Sequence, residues 1–151
     1  MQAEQLDRLV SEAGPLDESI IACLRTPDGA HAVRFEDFDV LVENDEARDC
    51  LVLSSEVGAP SASRAASVYE TLLCYNLLWR ETGGLKLALT GRGGSVVLLV
   101  EIAAGQADAR TLATVAVNLA ERARIWRAYF EAEGGDAIPS APAPAGDFIR
   151  A

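Results

Sequence analysis

The stretch Ser67–Trp79, SVYETLLCYNLLW, constrains this chain more than any other. On a helical period its apolar residues fall into two stripes. Val68, Leu72, Tyr75 and Trp79 form one, and Tyr69, Leu73 and Leu77 form a second, about a hundred degrees round. A surface helix on a domain of 151 residues ordinarily buries one stripe and keeps a charged face to water. A helix with two apolar sides needs two things to pack against. The expectation is that the first is the chain's own sheet and the second is another copy of the chain. The competing reading closes both stripes into one monomeric core.

The length suits a single domain, and with half its residues hydrophobic the chain is not disordered throughout. No run approaches the about 18 uninterrupted apolar residues of a membrane span. The N-terminal MQAEQLDRLV carries charges where a signal peptide needs an apolar core. These features point to a soluble cytoplasmic protein with no membrane insertion. The formal net charge of −10 repels phosphate backbones, and Arg8, Arg34, Arg48 and Arg64 stand singly among acids, so nucleic acid is disfavoured as a partner.

Taken in order, Gln2–Ala13 is an amphipathic helix with Leu6, Leu9, Val10 and Ala13 on one face, ended by Gly14-Pro15. Leu16–Arg25 suits either a helical turn or a short buried strand. After the turn Thr26-Pro-Asp-Gly29 the period changes to two. Ala32–Phe35, Asp39–Glu43 and Cys50–Leu53 then predict a three-stranded antiparallel meander across residues 31–54. Val57-Gly-Ala-Pro60 is expected to break the sheet. The central helix starts between Ser61 and Ser67, where Ser67-x-x-Glu70 fits a capping box, and Gly83-Gly84 ends it. Leu85–Thr90 and Ser95–Ile102 form a hairpin about Gly91-Arg-Gly-Gly94, and the run Val96–Val100 suits a strand covered on both faces. Asp108 caps a last amphipathic helix running to about Glu133. The fold class is α+β: helix, meander, helix, hairpin, helix, with residues 1–133 as the domain. Residues 134–151 form a Pro/Ala-rich tail expected to be mobile or extended, with no fold of its own.

No catalytic constellation emerges. His31 is the only histidine, sits at a turn–strand junction with no nucleophile motif nearby, and reads as a solvent-exposed structural residue. Cys23, Cys50 and Cys74 lie far apart with no CxxC, so they read as reduced thiols with neither metal nor cofactor. The glycines of residues 90–94 join strand to strand, whereas phosphate loops lead into a helix. Asp45, Glu46 and Asp49 lack the glycine and ligand spacing of a calcium loop. What is left over is surplus apolar surface, which points to protein partners.

The element order, Leu72-Leu73-Cys-Tyr-Asn76 in the central helix, the glycine break, the LKLALT…VVLLVEI hairpin and the Asp-led final helix with Leu112 and Trp126 together resemble a class I type III secretion chaperone of the Tir-chaperone family. The resemblance covers roughly residues 2–132. It implies a bacterial cytoplasmic homodimer without enzymatic activity that binds the N-terminal region of one or more effector proteins. A secretion ATPase is a further implied partner. The family's interface maps onto Tyr69, Leu72, Leu73, Asn76, Leu77 and Arg80 of the central helix, with Val96, Leu98 and Val100 of the neighbouring strand. The effector wraps round in extended form, pairing with a sheet edge and filling grooves beside the first helix and the early strands. Those grooves map onto Leu6, Leu9 and Val10, then Val33, Phe35, Val40, Val42, Leu51 and Leu53. Residues 15–30 are longer than the family's usual pattern. The alternatives are a small-molecule-binding or enzymatic α/β domain, with the surplus apolar surface as its pocket, and a structural adaptor unrelated to secretion.

Overall fold

The computed structural model describes residues 1–27 and 29–132, so the expectation for the tail at 134–151 lies outside the described residues. The strands are β1 (Ala22–Arg25), β2 (His31–Arg34), β3 (Asp39–Asp45), β4 (Cys50–Gly58), β5 (Lys86–Leu89) and β6 (Val96–Ala103). All pair antiparallel in one six-stranded sheet of order β1-β2-β3-β4-β6-β5. The helices are α1 (Ala3–Ala13), α2 (Ala65–Leu77) and α3 (Ala109–Glu131), with single 3₁₀ turns at Gly14–Leu16 and Ala104–Gln106.

Period-two alternation gives this sheet two unlike faces. On one, Val33 stands opposite Val40, Val42 opposite Leu53, Leu53 opposite Val100, and Leu98 opposite Leu87; all are buried. α1 adds Leu6, Val10 and Ala13 to this core, and α3 adds Leu112, Val115, Leu119, Ala123, Trp126 and Phe130. Each fully buried leucine, such as Leu53 or Leu119, contributes on the order of 2 kcal/mol by leaving water. The register carries one row across the opposite face: Leu24, Ala32, Leu41, Ser54, Leu99 and Lys86. Leu24, Leu41 and Lys86 are exposed there, and the Arg34–Asp39 and Arg48–Glu101–Lys86 ion pairs flank the row.

The final helix begins as its sequence requires. The Asp108 carboxylate accepts the Thr111 N–H at 2.7 Å, satisfying one of the orphan donors of the first turn. At its far side Arg124 grips Asp37 in the β2–β3 turn through both Nε and Nη2, at 3.0 and 2.8 Å, and Arg127 lies 3.9 Å over the Phe38 ring. These contacts fix α3 across the sheet.

Several details differ from the sequence reading. The ambiguous segment 16–25 resolves into the 3₁₀ turn and then strand β1, so the meander has one strand more than expected. The Asp17 carboxylate accepts both the Ser19 N–H and its hydroxyl, a turn that competes with helix, and residues 22–25 then pair with 31–34. The sheet does not break at Val57. β4 continues through an irregularity between Glu56 and Gly58, placing Gly58 opposite Val96, and the chain leaves the sheet at Ala59-Pro60. Val96–Val100 is not covered on both faces: Val96, Leu98 and Val100 are buried, while Val97 and Leu99 are half-buried.

α2 also departs from its sequence signals. It starts at Ala65, so Ser67 lies inside the first turn and caps nothing. It ends at Leu77, with Gly83 and Gly84 in the following turn at φ 64° and 83°, conformations that glycine adopts without a Cβ clash. Because the helix stops short of Trp79, that side chain leaves the sheet-facing stripe and is 50% exposed.

Candidate functional site

α2 does present two different apolar sides. Val68, Leu72 and Tyr75 are buried. Tyr75 meets Trp126 of α3 edge-on at 5.0 Å, and the Thr71 hydroxyl pairs with that of Tyr129 at 3.2 Å. On the second side Leu73 is 72% and Leu77 80% exposed, with Tyr69 half-buried beside them. Arg80, beyond the helix end, is exposed and stacks over the Trp79 ring at 4.8 Å. Between α2 and β5 lies a groove of about 280 Å³ lined by Tyr69, Leu72, Leu73, Asn76, Leu87, Ala88 and Leu89.

The strand assignment for this surface needs correction. Val96, Leu98 and Val100 point into the core among α3 and the other strands, so their side chains have nothing to offer a second copy. The strand beside α2 is β5. The Asn76 side-chain amide donates to the Leu87 carbonyl at 2.9 Å and accepts the Leu87 N–H at 2.8 Å. Asn76 is therefore engaged within its own chain, and Leu72 is buried there. Tyr69, Leu73, Leu77 and Arg80 keep accessible surface.

A second region follows β1. This strand ends the sheet, pairing with β2 on one side. The Thr26 N–H reaches across to the Ala30 carbonyl at 2.8 Å. Alternation from that bond turns the backbone groups of Cys23 and Arg25 outward. Alongside runs a groove of about 510 Å³, with Asp7, Val10, Ser11, Gly14 and Pro15 on the α1 wall and Ile20–Arg25 on the strand wall. A second groove of about 330 Å³ lies between Met1, Ala3, Leu6, Val42 and Asn44, and His31 borders both.

Of the side chains expected to line effector grooves, Leu6, Val10 and Val42 border these two and Leu9 is half-buried. Val33, Phe35, Val40, Leu51 and Leu53 do not; they are core residues beneath α1 and α3. Alternation identifies which strand residues share a face, but it does not say which face the helices cover. The exposed apolar residues near the edge are Leu16, Ile21, Leu24 and Leu41. Ile20-Ile21 and Leu24 were visible in the sequence, but as members of an unassigned segment.

His31 is buried, contrary to the exposed position expected for it. Its Nε2 lies 2.6 Å from the Asp7 carboxylate of α1, which also faces Arg25 of β1 at 3.5 Å. With a carboxylate as partner Nε2 carries the proton, and Nδ1 is buried without a hydrogen-bond partner among the described residues. The cluster ties α1 to β1 and β2 at the junction of the two grooves. Among the described residues no serine, threonine or cysteine is hydrogen-bonded to it; the Cys23 and Cys50 thiols have pKa values pushed up by burial, and Cys74 is exposed on α2. No group of three or more potential metal ligands occurs among the described residues. Within them, no helix is long and apolar enough to cross a membrane.

The fold that carries these features has counterparts among solved structures. The fold is similar to a chain of the ExsC–ExsE complex (TM-score 0.68, 18% identity, covering 85% of this chain and 95% of that one). It is similar to a chain of the HopA1–SchA chaperone–effector complex (TM-score 0.64, 18% identity, 83% and 94% covered). A third similarity is to the Yersinia pestis type III secretion chaperone SycH in complex with a stable fragment of YscM2 (TM-score 0.57, 20% identity, 81% and 96% covered). No curated protein sequence matches the chain. The sequence model of one family does match, over residues 26–127, from the turn before β2 to Arg127 on α3. With most of the sheet, all of α2 and most of α3 inside that match, the chain belongs to the Tir chaperone protein (CesT) family.

Proposed function

We propose that this protein is a bacterial, cytoplasmic type III secretion chaperone that acts as a homodimer. It binds the N-terminal region of one or more effector proteins non-covalently and keeps them soluble and competent for secretion. It catalyses no reaction, and a secretion ATPase is a further partner. The observation that carries this reading is the free edge of β1 beside the α1 groove, in a chain of this family. An extended segment can pair its backbone with the outward groups of Cys23 and Arg25 and set alternate side chains into the groove. Main-chain pairing tolerates many sequences, and the pockets add selectivity.

The dimer half of the proposal rests on Leu73 and Leu77, two large apolar side chains facing water beside the α2–β5 groove. Tyr69 and Arg80 flank them. Residues 1–133 supply the whole binding unit in this account, and the tail is an addition to it. Co-expression with the N-terminal region of an effector encoded beside this chain's gene tests the function. The effector segment should move to the soluble fraction and co-purify; a segment that stays insoluble with every neighbouring candidate would contradict it.

A further inference from the structure

A six-stranded open sheet has two edges, and an edge strand is a template for any extended chain. The two edges here are treated differently. On β5, alternation turns the backbone groups of Leu87 and Leu89 away from β6. Both groups of Leu87 are taken by the Asn76 amide, at 2.9 and 2.8 Å. One outward position earlier, Leu85 donates its N–H to the Thr82 carbonyl at 3.2 Å, and its carbonyl lies 3.5 Å from the Thr82 hydroxyl. Only Leu89 is left with outward groups that find no partner among the described residues. At β1 the outward groups of Cys23 and Arg25 find none among the described residues either, and a groove runs beside them.

We infer that Asn76 decides which sheet edge takes a partner's backbone: by pairing with Leu87 as a neighbouring strand would, it closes β5 and reserves strand addition for β1. A carboxamide is suited to this because it carries a donor and an acceptor side by side, as one face of a strand residue does. With the edge closed, the α2–β5 groove offers a partner side-chain contacts and no ladder. An extended, alternating polypeptide segment therefore fits β1, and a packed helix face fits α2. This selectivity rests on the strand-addition reading above.

The test uses the free full-length protein, so it reads the role of Asn76 whether or not an effector is ever found. In Asn76→Ala the Leu87 amide should exchange with deuterium at least tenfold faster, while amides of α3 around Trp126 stay unchanged. Light scattering should detect species larger than two chains, and adding Leu89→Pro, which removes the second outward donor and puts a proline ring where a partner strand would pair along this edge, should abolish them. Asn76→Leu, which removes both the donor and the acceptor at similar volume, serves if the alanine variant does not fold and should show the same direction. Unchanged Leu87 exchange would overturn the inference. So would faster exchange with no larger species, or larger species that persist in the Leu89→Pro background.

Discussion

Tyr75 of α2 meets Trp126 of α3 edge-on, with ring planes at 88°. The contact fixes how α2 is rotated about its axis. With Tyr75, Val68 and Leu72 turned inward, Leu73 and Leu77 have nowhere to face but water. Trp126→Ala should therefore cost about 3–5 kcal/mol in chemical denaturation, because it opens a cavity and removes this contact together with the one to Tyr129 at 5.6 Å.

Leu73→Asp should do the opposite of Trp126→Ala. It should leave the stability of the single chain nearly unchanged, since the side chain is 72% exposed, and should split the proposed dimer by placing an unpaired carboxylate in its interface. Chromatography with light scattering reads the mass, and denaturation reads the stability. A Leu73→Asp protein that stays dimeric would show that α2 does not dimerise through this face.

Leu98→Ala tests whether β6 belongs to the core or to a dimer interface. Leu98 is fully buried within its own chain, so the substitution should lower folding stability by about 2–5 kcal/mol. The dissociation constant of the proposed dimer should not change. Weakened dimerisation at unchanged stability would return β6 to the interface.

Arg64 links the start of α2 to the end of α3. Its Nη1 donates to the carbonyls of Tyr129 and Ala132 at 2.9 and 2.5 Å, satisfying acceptors that the helix end leaves unpaired. Arg64→Ala should cost on the order of 1–2 kcal/mol. Amide exchange should rise in the last turn of α3 before it rises elsewhere.

Acid should weaken the fold at two ion-paired carboxylates, one on the open face of the sheet and one beneath α3. Hydrogen bonds from Arg48 and then Lys86 hold the Glu101 carboxyl below its ordinary pKa, and the Arg124 bond does the same for Asp37. A carboxyl whose folded pKa is depressed stabilises the fold above its unfolded pKa, and that contribution is lost as pH falls through the folded value. Stability measured from pH 7 downward should fall below the normal carboxylate range. Glu101→Gln should flatten that fall while lowering stability at pH 7.

The sequence made the helices and the strand alternation legible because both are periodic and local. The two-sided character of α2 was legible for the same reason, and Asp108 capped α3 as its position suggested. Which face of the sheet the helices cover was not legible, and that sent Val33, Val40, Leu51 and Leu53 to a groove when they belong to the core. β1 was obscured by an Asx turn at Asp17 whose outcome depends on pairing with residues 31–34. His31 could be counted in the sequence, but its burial depends on Asp7, 24 positions away on α1. Asn76 stood in the expected interface set, yet its actual partner is a backbone across a turn, a pairing that no side-chain pattern encodes.

The most direct measurement of the central claim is the molar mass, by light scattering after chromatography, of the soluble complex purified after co-expression with the N-terminal region of a neighbouring effector. Two copies of this chain should hold an effector segment, with exchange protection at Cys23 and Arg25 that is absent when the chaperone is alone. A chain that elutes as a 16.0 kDa monomer without the segment, or a complex that leaves the β1 amides unprotected, would contradict it.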